Sequence, residues 1–259
     1  MSSSSRIDNC PKQHIFSVPI HAIGMDEVLS IVDEVIISRA RLLIGVVNAA
    51  KIVNMRRDDL LRESVLNSDM ILADGVSVVW ASRLLGRPLP QRVPGIDLMT
   101  RMLEHGNDRG YRVYCLGAAE DVSAAVAERI ERDYPGVILA GRHHGYFTAE
   151  QEEDVVADIK AAGPDILFVA MSPPKKEIFL SRWGQKMNVP VCHGVGGAFD
   201  VLAGKVRRAP ALWQRLGMEW LYRIVQEPRR MWRRYLVTNT LFCGMLIGEL
   251  FRRHRGPRT

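Results

Sequence analysis

Short apolar runs of four to six residues recur through the chain, each separated from the next by a stretch of helix-forming composition. The runs are Leu42–Val47, Met70–Ala73, Arg112–Leu116, Val137–Ala140, Ile166–Ala170 and Val189–His193. Between them lie Asp26–Ala40, Asp58–Leu66, Ser77–Leu85, Asp97–Asn107, Asp121–Asp133, Ala149–Ala162 and Lys175–Lys186. Several of these open on Asp or Ser, side chains that cap a helix by accepting from its first free N–H groups. Strands that are apolar throughout are covered on both faces, so the alternation predicts an α/β fold, a mostly parallel Rossmann-like sheet flanked by helices. No unit of about 20–50 residues repeats, which excludes solenoids and propellers.

Charge divides the chain into unlike parts. Residues 204–259 hold 13 Lys+Arg against 3 Asp+Glu, net +10, whereas residues 1–203 hold 22 against 26, net −4. The expected organisation is a disordered, Ser-rich leader over residues 1–14, an α/β core over 15–203 and a basic, amphipathic helical appendage over 204–259. The leader lacks the basic flank and apolar stretch of a secretory signal. Cys10, Cys115, Cys192 and Cys243 lie too far apart in sequence for a CxxC metal knuckle, and they suit a reducing cytosol better than a disulfide framework. Leu236–Phe251 is the longest apolar segment, but as a helix its 16 residues span about 24 Å against about 30 Å of bilayer hydrocarbon. Flanked by arginines, it suits an anionic membrane surface instead; the other reading is docking on the body or on a second copy of the chain, as in a homo-oligomer.

Ligands of open α/β sheets bind beyond the carboxyl ends of the strands, so the residues that follow each strand are the candidates for chemistry. Asn48 follows the first run, Asp74-Gly75 the second, Gly117-Ala118-Ala119 the third, Ser172 to Glu177 the fifth and Gly194 to Gly197 the last. Asp74 fits a partly desolvated general base, and equally the cap of the helix that follows it. Asn48 suits sugar hydroxyls or a turn. Gly194-Val195-Gly196-Gly197 permits backbone N–H groups to approach an anion, or forms a plain tight turn. Lys175 and Lys176 at a helix start suit a diphosphate, or form a solvated pair.

No Asp-x-Asp, HxxxH or HExxH occurs, so neither a metal nor another cofactor is expected. Charge on a phosphate leaving group then falls to lysine or arginine. In the basic tail Trp213, Leu216, Trp220, Ile224, Met231 and Tyr235 form an apolar helical stripe, read first as packing against the body, and Pro228 divides or kinks the helix.

Taken together, Val47-Asn48-Ala49-Ala50-Lys51, Ala73 to Val79, Arg92 to Leu98, Gly145-Tyr146-Phe147, Pro174 to Glu177 and Gly194 to Asp200 resemble the WecG/TagA/CpsF glycosyltransferases. Arg208-Ala209-Pro210 and Gly217 to Arg223 extend the match, which covers about residues 40–235 in order. The resemblance implies an inverting, metal-independent enzyme that moves a sugar from a UDP-sugar to a polyprenyl-diphosphate-linked sugar in surface polysaccharide synthesis. It would work in the cytoplasm, peripherally on the inner face of the membrane. It further implies that Asp74 is the catalytic base, and that Asn48, Arg92 and Lys176 contact donor or acceptor sugar. Tyr146, Gly196, Gly197 and Asp200 would hold UDP, and Arg223, Arg230 and Arg233 of the appendage would stabilise the leaving diphosphate. Val46 stands where many members carry Thr, a departure shared with the WecG-like branch, whose donor is an N-acetylmannosaminuronate. Lys176 stands where many carry Gln and suits pairing with such a carboxylate. Rival readings are a dinucleotide-dependent oxidoreductase, which lacks its G-x-G-x-x-G, and a nucleic-acid module, whose aromatics would need to interleave for base stacking.

Overall fold

The computed structural model describes residues 3–254; the side chain of Arg230 and a few others on the C-terminal helices lie outside that description. The chain opens with α1 (Ser3–Asn9), then β1 (Lys12–Ile15) and β2 (Val18–His21), an antiparallel pair closed through Phe16 and Ser17 at φ 51° and 68°. Residues 3–9 are therefore helix and 12–14 strand, where the sequence suggests a disordered leader; residues 1 and 2 lie outside the described chain. Burial explains the order. Ile7 and Cys10 are buried in the cluster that surrounds the next helix, and Arg6 pairs with Glu34 on that helix.

The α/β alternation follows. In chain order it runs α2 (Met25–Ser38), β3 (Leu42–Val47), α3 (Ala49–Asn54), α4 (Asp59–Leu66), β4 (Met70–Ala73), α5 (Val76–Leu84), α6 (Gly95–Arg109), β5 (Arg112–Gly117) and α7 (Glu120–Asp133). It continues with β6 (Ile138–His143), α8 (Glu152–Ala162), β7 (Ile166–Ala170), α9 (Lys175–Trp183), β8 (Val191–Gly194) and α10 (Ala198–Leu202). Strands β3 to β8 form one six-stranded sheet in the order β4-β3-β8-β7-β5-β6, with every pairing parallel. Both faces are covered. Leu42 and Ile44 of β3 point into the cluster shared with α2 and α6, while Leu43 and Val47 enter clusters on the opposite face, as a two-residue side-chain period dictates. Tyr114, Phe168 and Phe199 are among the largest fully buried side chains, and burying an aromatic of that size contributes about 1.5–3 kcal/mol.

Three helices finish the described chain: α11 (Ala211–Arg215), α12 (Glu219–Gln226) and α13 (Pro228–His254). Pro228 divides the last two, since it supplies no N–H to an interior turn and is tolerated at the first one. Helix α13 lies along α3, with Phe242 buried and set edge-on against Phe16 at 5.2 Å between ring centres. So part of the long apolar segment docks on the body, while Leu236, Ile247 and Phe251 remain exposed. No described helix is long and apolar enough to cross a membrane. The tail stripe differs from its first reading: no residue of α12 is buried, Leu216 and Trp220 are exposed, and the aromatics pair with one another, Trp213 with Tyr222 and Trp220 with Tyr235.

Candidate active site

Asp74 leaves the sheet at the end of β4, where its N–H bonds to the carbonyl of Val47 at 2.9 Å and keeps it in register with β3. Its carboxylate is held from two sides. Oδ1 accepts from the N–H of Gly95 at 3.0 Å, at the N-terminus of α6, and Oδ2 accepts from Asn48 Nδ2 at 3.3 Å. Asn48 is itself fixed, because its Oδ1 caps α3 by accepting from the N–H of Lys51 at 3.0 Å. One amide thus starts a helix with its oxygen and orients a carboxylate with its nitrogen. These partners also separate the two readings of Asp74: Gly75 occupies the N-cap of α5, and the Asp74 side chain turns towards α6 and Asn48. A half-buried carboxylate with a fixed plane and lone pairs to spare can take a proton from a hydroxyl brought against it.

Beside it lies a buried cluster of charge. Lys176 is 5% exposed, contrary to a solvated lysine, and its Nζ stands 3.3 Å from Glu177 Oε1. The same oxygen accepts from Lys51 Nζ at 3.0 Å. Burial pushes the Lys176 ammonium down to about 8, Lys51 pushes the same way, and Glu177 and Asp74 oppose them. His193 at the end of β8 donates from Nε2 to the carbonyl of Gly95 at 3.1 Å, and burial takes its imidazole down to about 4, so it is neutral at ordinary pH.

The remaining strand ends form a glycine-rich rim. Gly145 donates to the carbonyl of Ala118 at 2.8 Å, and Lys175 Nζ donates to the carbonyls of Gly145 and Phe147 at 3.1 and 3.2 Å, 4.4 Å above the Phe147 ring. Lys175 is thereby spent on shaping the loop after β6. Tyr146, on that loop, is 78% exposed. Gly196 adopts φ 56° in the turn after β8, Gly197 is exposed at the start of α10, and a half-buried Asp200 follows one turn later. Strands β6 and β8 are three positions apart in the sheet, so the strands that lead into the Tyr146 loop and the Gly196–Asp200 turn are separated by about 14 Å.

The C-terminal helices join this rim through charge and one close approach. Arg92 pairs with Glu219 at 3.3 Å, Arg208 with Asp97 and Lys205 with Asp121. Gly217, at φ 68°, packs so tightly that a Cβ would stand 2.0 Å from Val76 Cγ1, two residues beyond Asp74. Arg92 therefore contacts the appendage as well as flanking the Asp74 turn. Arg223 and Arg233 are exposed on α12 and α13, and the side chain of Arg230 lies outside the described residues. Among the described residues no three His, Cys, Asp or Glu side chains gather as a metal site. The sequence reading missed the backbone N–H of Gly95, the Lys51–Glu177 pair, His193 and Glu219. Only the charged pair left a trace, since Lys51 follows Asn48 by three residues and Glu177 adjoins Lys176.

A parallel sheet whose carboxyl rim presents a held carboxylate, buried lysines and glycine turns defines an α/β enzyme with its chemistry at the strand ends. Residues 13–256 match the glycosyl transferase WecG/TagA/CpsF family; the chain belongs to that family and is a glycosyltransferase. The oxidoreductase and nucleic-acid readings are set aside by that match. An N-acetylglucosaminyldiphosphoundecaprenol N-acetyl-beta-D-mannosaminyltransferase from Bacillus spizizenii is 42% identical over 175 residues, 67% of this chain and 67% of that protein.

Proposed function

We propose that the protein transfers a neutral N-acetylhexosamine from its UDP derivative to a polyprenyl-diphosphate-linked N-acetylglucosamine at a membrane surface. Asp74 takes the proton of the acceptor hydroxyl as that oxygen bonds to the anomeric carbon, and the bond from that carbon to the diphosphate breaks, releasing UDP. A single displacement of this kind inverts the anomeric centre. Tyr146, Gly196, Gly197 and Asp200 hold UDP, Asn48, Arg92 and Lys176 contact the sugars, and Arg223, Arg230 and Arg233 meet the charge that develops on the leaving diphosphate, with no metal required. Exposed Leu212, Leu216, Trp220, Val225, Trp232 and Leu236 beside these arginines suit an anionic lipid interface.

The observation that carries the reading is the two-sided hold on Asp74. The choice of a neutral donor over a uronate rests on charge: Lys51 and Lys176 are balanced by Glu177 and Asp74, so this cluster has no cation left over for a sugar carboxylate, and Arg92 pairs with Glu219. The relative's printed activity, a mannosaminyl transfer, agrees. Offering the purified protein a panel of UDP-sugars with a polyprenyl-diphosphate N-acetylglucosamine acceptor tests it. UDP release with UDP-N-acetylmannosamine or another neutral N-acetylhexosamine, undiminished by EDTA, is expected; release only with a uronate, or only with added Mg²⁺ or Mn²⁺, contradicts it.

A further inference from the structure

Three ionised side chains lie buried together beside Asp74, and the transfer reaction as drawn uses only one of them. Glu177 Oε1 is shared by Lys51 Nζ at 3.0 Å and Lys176 Nζ at 3.3 Å. The Glu177 and Lys176 side chains are each 7% exposed, and that of Lys51 is 12% exposed. Withdrawing such groups from water costs about as much as their attraction returns, so the cluster is poorly explained by stability alone. The second carboxylate oxygen, Oε2, is buried with no hydrogen-bond partner among the described residues, and both side-chain partners of Oε1 are the lysines.

The backbone is also cut to fit. Gly194, the last residue of β8, would with a Cβ stand 2.7 Å from Lys176 Cδ, 2.8 Å from Cε and 3.3 Å from Nζ. Its φ lies outside the left-handed region, so the lysine stem, rather than the backbone, accounts for the missing side chain. Lys176 thus crosses a bare strand end, anchored by a carboxylate on its own helix that Lys51 of α3 also holds.

We propose that Glu177 is a positioning residue for sugar transfer: with Lys51 as its second partner, it holds the Lys176 ammonium across Gly194, where it meets the sugar beside Asp74. This rests on the reading of Lys176 as a sugar contact. The charged and titratable groups that face Lys176 are Lys51 from α3, Glu177 from α9, Asp74 from the end of β4 and the neutral His193 from β8. The ammonium is present at neutral pH and lost as pH rises through about 8, so activity falls on that limb. Removing the Glu177 charge moves the limb to lower pH, and removing Lys51 moves it to higher pH.

The test is kcat/KM against pH, with the donor that turns over and a detergent-solubilised acceptor, for the wild type, Glu177→Gln, Lys51→Met, Gly194→Ala and Lys176→Met. NMR of 13C-labelled lysine follows the Lys176 titration in the same proteins without substrate, and Lys176→Met assigns the signal. Shifts in opposite directions in Glu177→Gln and Lys51→Met are expected, together with a kcat about tenfold or more lower in Gly194→Ala, which alters no charge but displaces the lysine. Lys51→Met and Gly194→Ala carry the test if Glu177→Gln does not fold. A titration that does not move in these directions, or a Gly194→Ala protein with wild-type kcat, overturns the positioning role. Wild-type turnover in Lys176→Met removes the sugar contact itself, and the inference with it.

Discussion

In the sheet body Tyr114, Phe168 and Phe199 are fully buried, whereas no residue of α12 is buried and the helix is held at its start by Gly217 against Val76 and by Glu219 on Arg92. The body carries net −4 and the tail net +10. Burial therefore explains where Asp74, Asn48 and Lys176 stand, because each projects from an element fixed by the core. It does not explain the tail's composition. Exposed tryptophan and leucine beside arginines are costly to leave in water and useful against lipid, which is the role proposed for the tail.

The sharpest break in that contrast is Phe242, a tail residue that does enter the core. Phe242→Ala is expected to lower stability by about 3–5 kcal/mol, as a core substitution does. Thermal and denaturant unfolding measure this, and a loss below about 1 kcal/mol, typical of surface positions, would mean that α13 is not anchored there. Next in size, replacing Arg223, Arg230 and Arg233 together by Gln is expected to lower kcat about 10²–10³-fold, the usual cost of removing a group aimed at developing charge. Vesicle binding should persist, since it is spread over the remaining basic residues at about 1 kcal/mol each. Full activity on a detergent-presented acceptor would reduce these arginines to an anchor. Smallest is the effect of Trp220→Ser or Trp232→Ser singly: about 10–100-fold weaker binding to anionic vesicles, from the loss of about 1.5–3 kcal/mol per buried aromatic, with unchanged kcat in detergent. Co-sedimentation that does not change would exclude these tryptophans from the interface.

How much of this was legible in the sequence follows the same division. β3, β4 and β7 coincide with the apolar runs residue for residue, because strands covered on both faces must be apolar throughout. The β1–β2 pair was not legible: its strands have four residues each, and Phe16 and Ser17 turn the chain without the glycine or asparagine that marks such a turn. At the site, Asp74 and Asn48 were visible as polar residues ending apolar strands. The donor that fixes Asp74 was not, since Gly95 contributes a backbone N–H from 21 residues away, and a backbone group leaves no mark in the sequence. The burial of Lys176 was not legible, because it depends on the absence of a side chain at Gly194, on another strand.

The central claim, that the body does the chemistry through a held carboxylate, is tested most directly by single-turnover transfer with Asp74→Asn beside UDP affinity by calorimetry. The amide keeps the shape of the carboxylate and loses its ability to accept the proton. The account predicts that transfer slows by about 10²–10⁴ while UDP affinity stays near wild type and the protein still folds, with some loss of stability because the new amide nitrogen faces the N–H of Gly95 or Asn48. Transfer at a near wild-type rate would contradict it and move the base elsewhere.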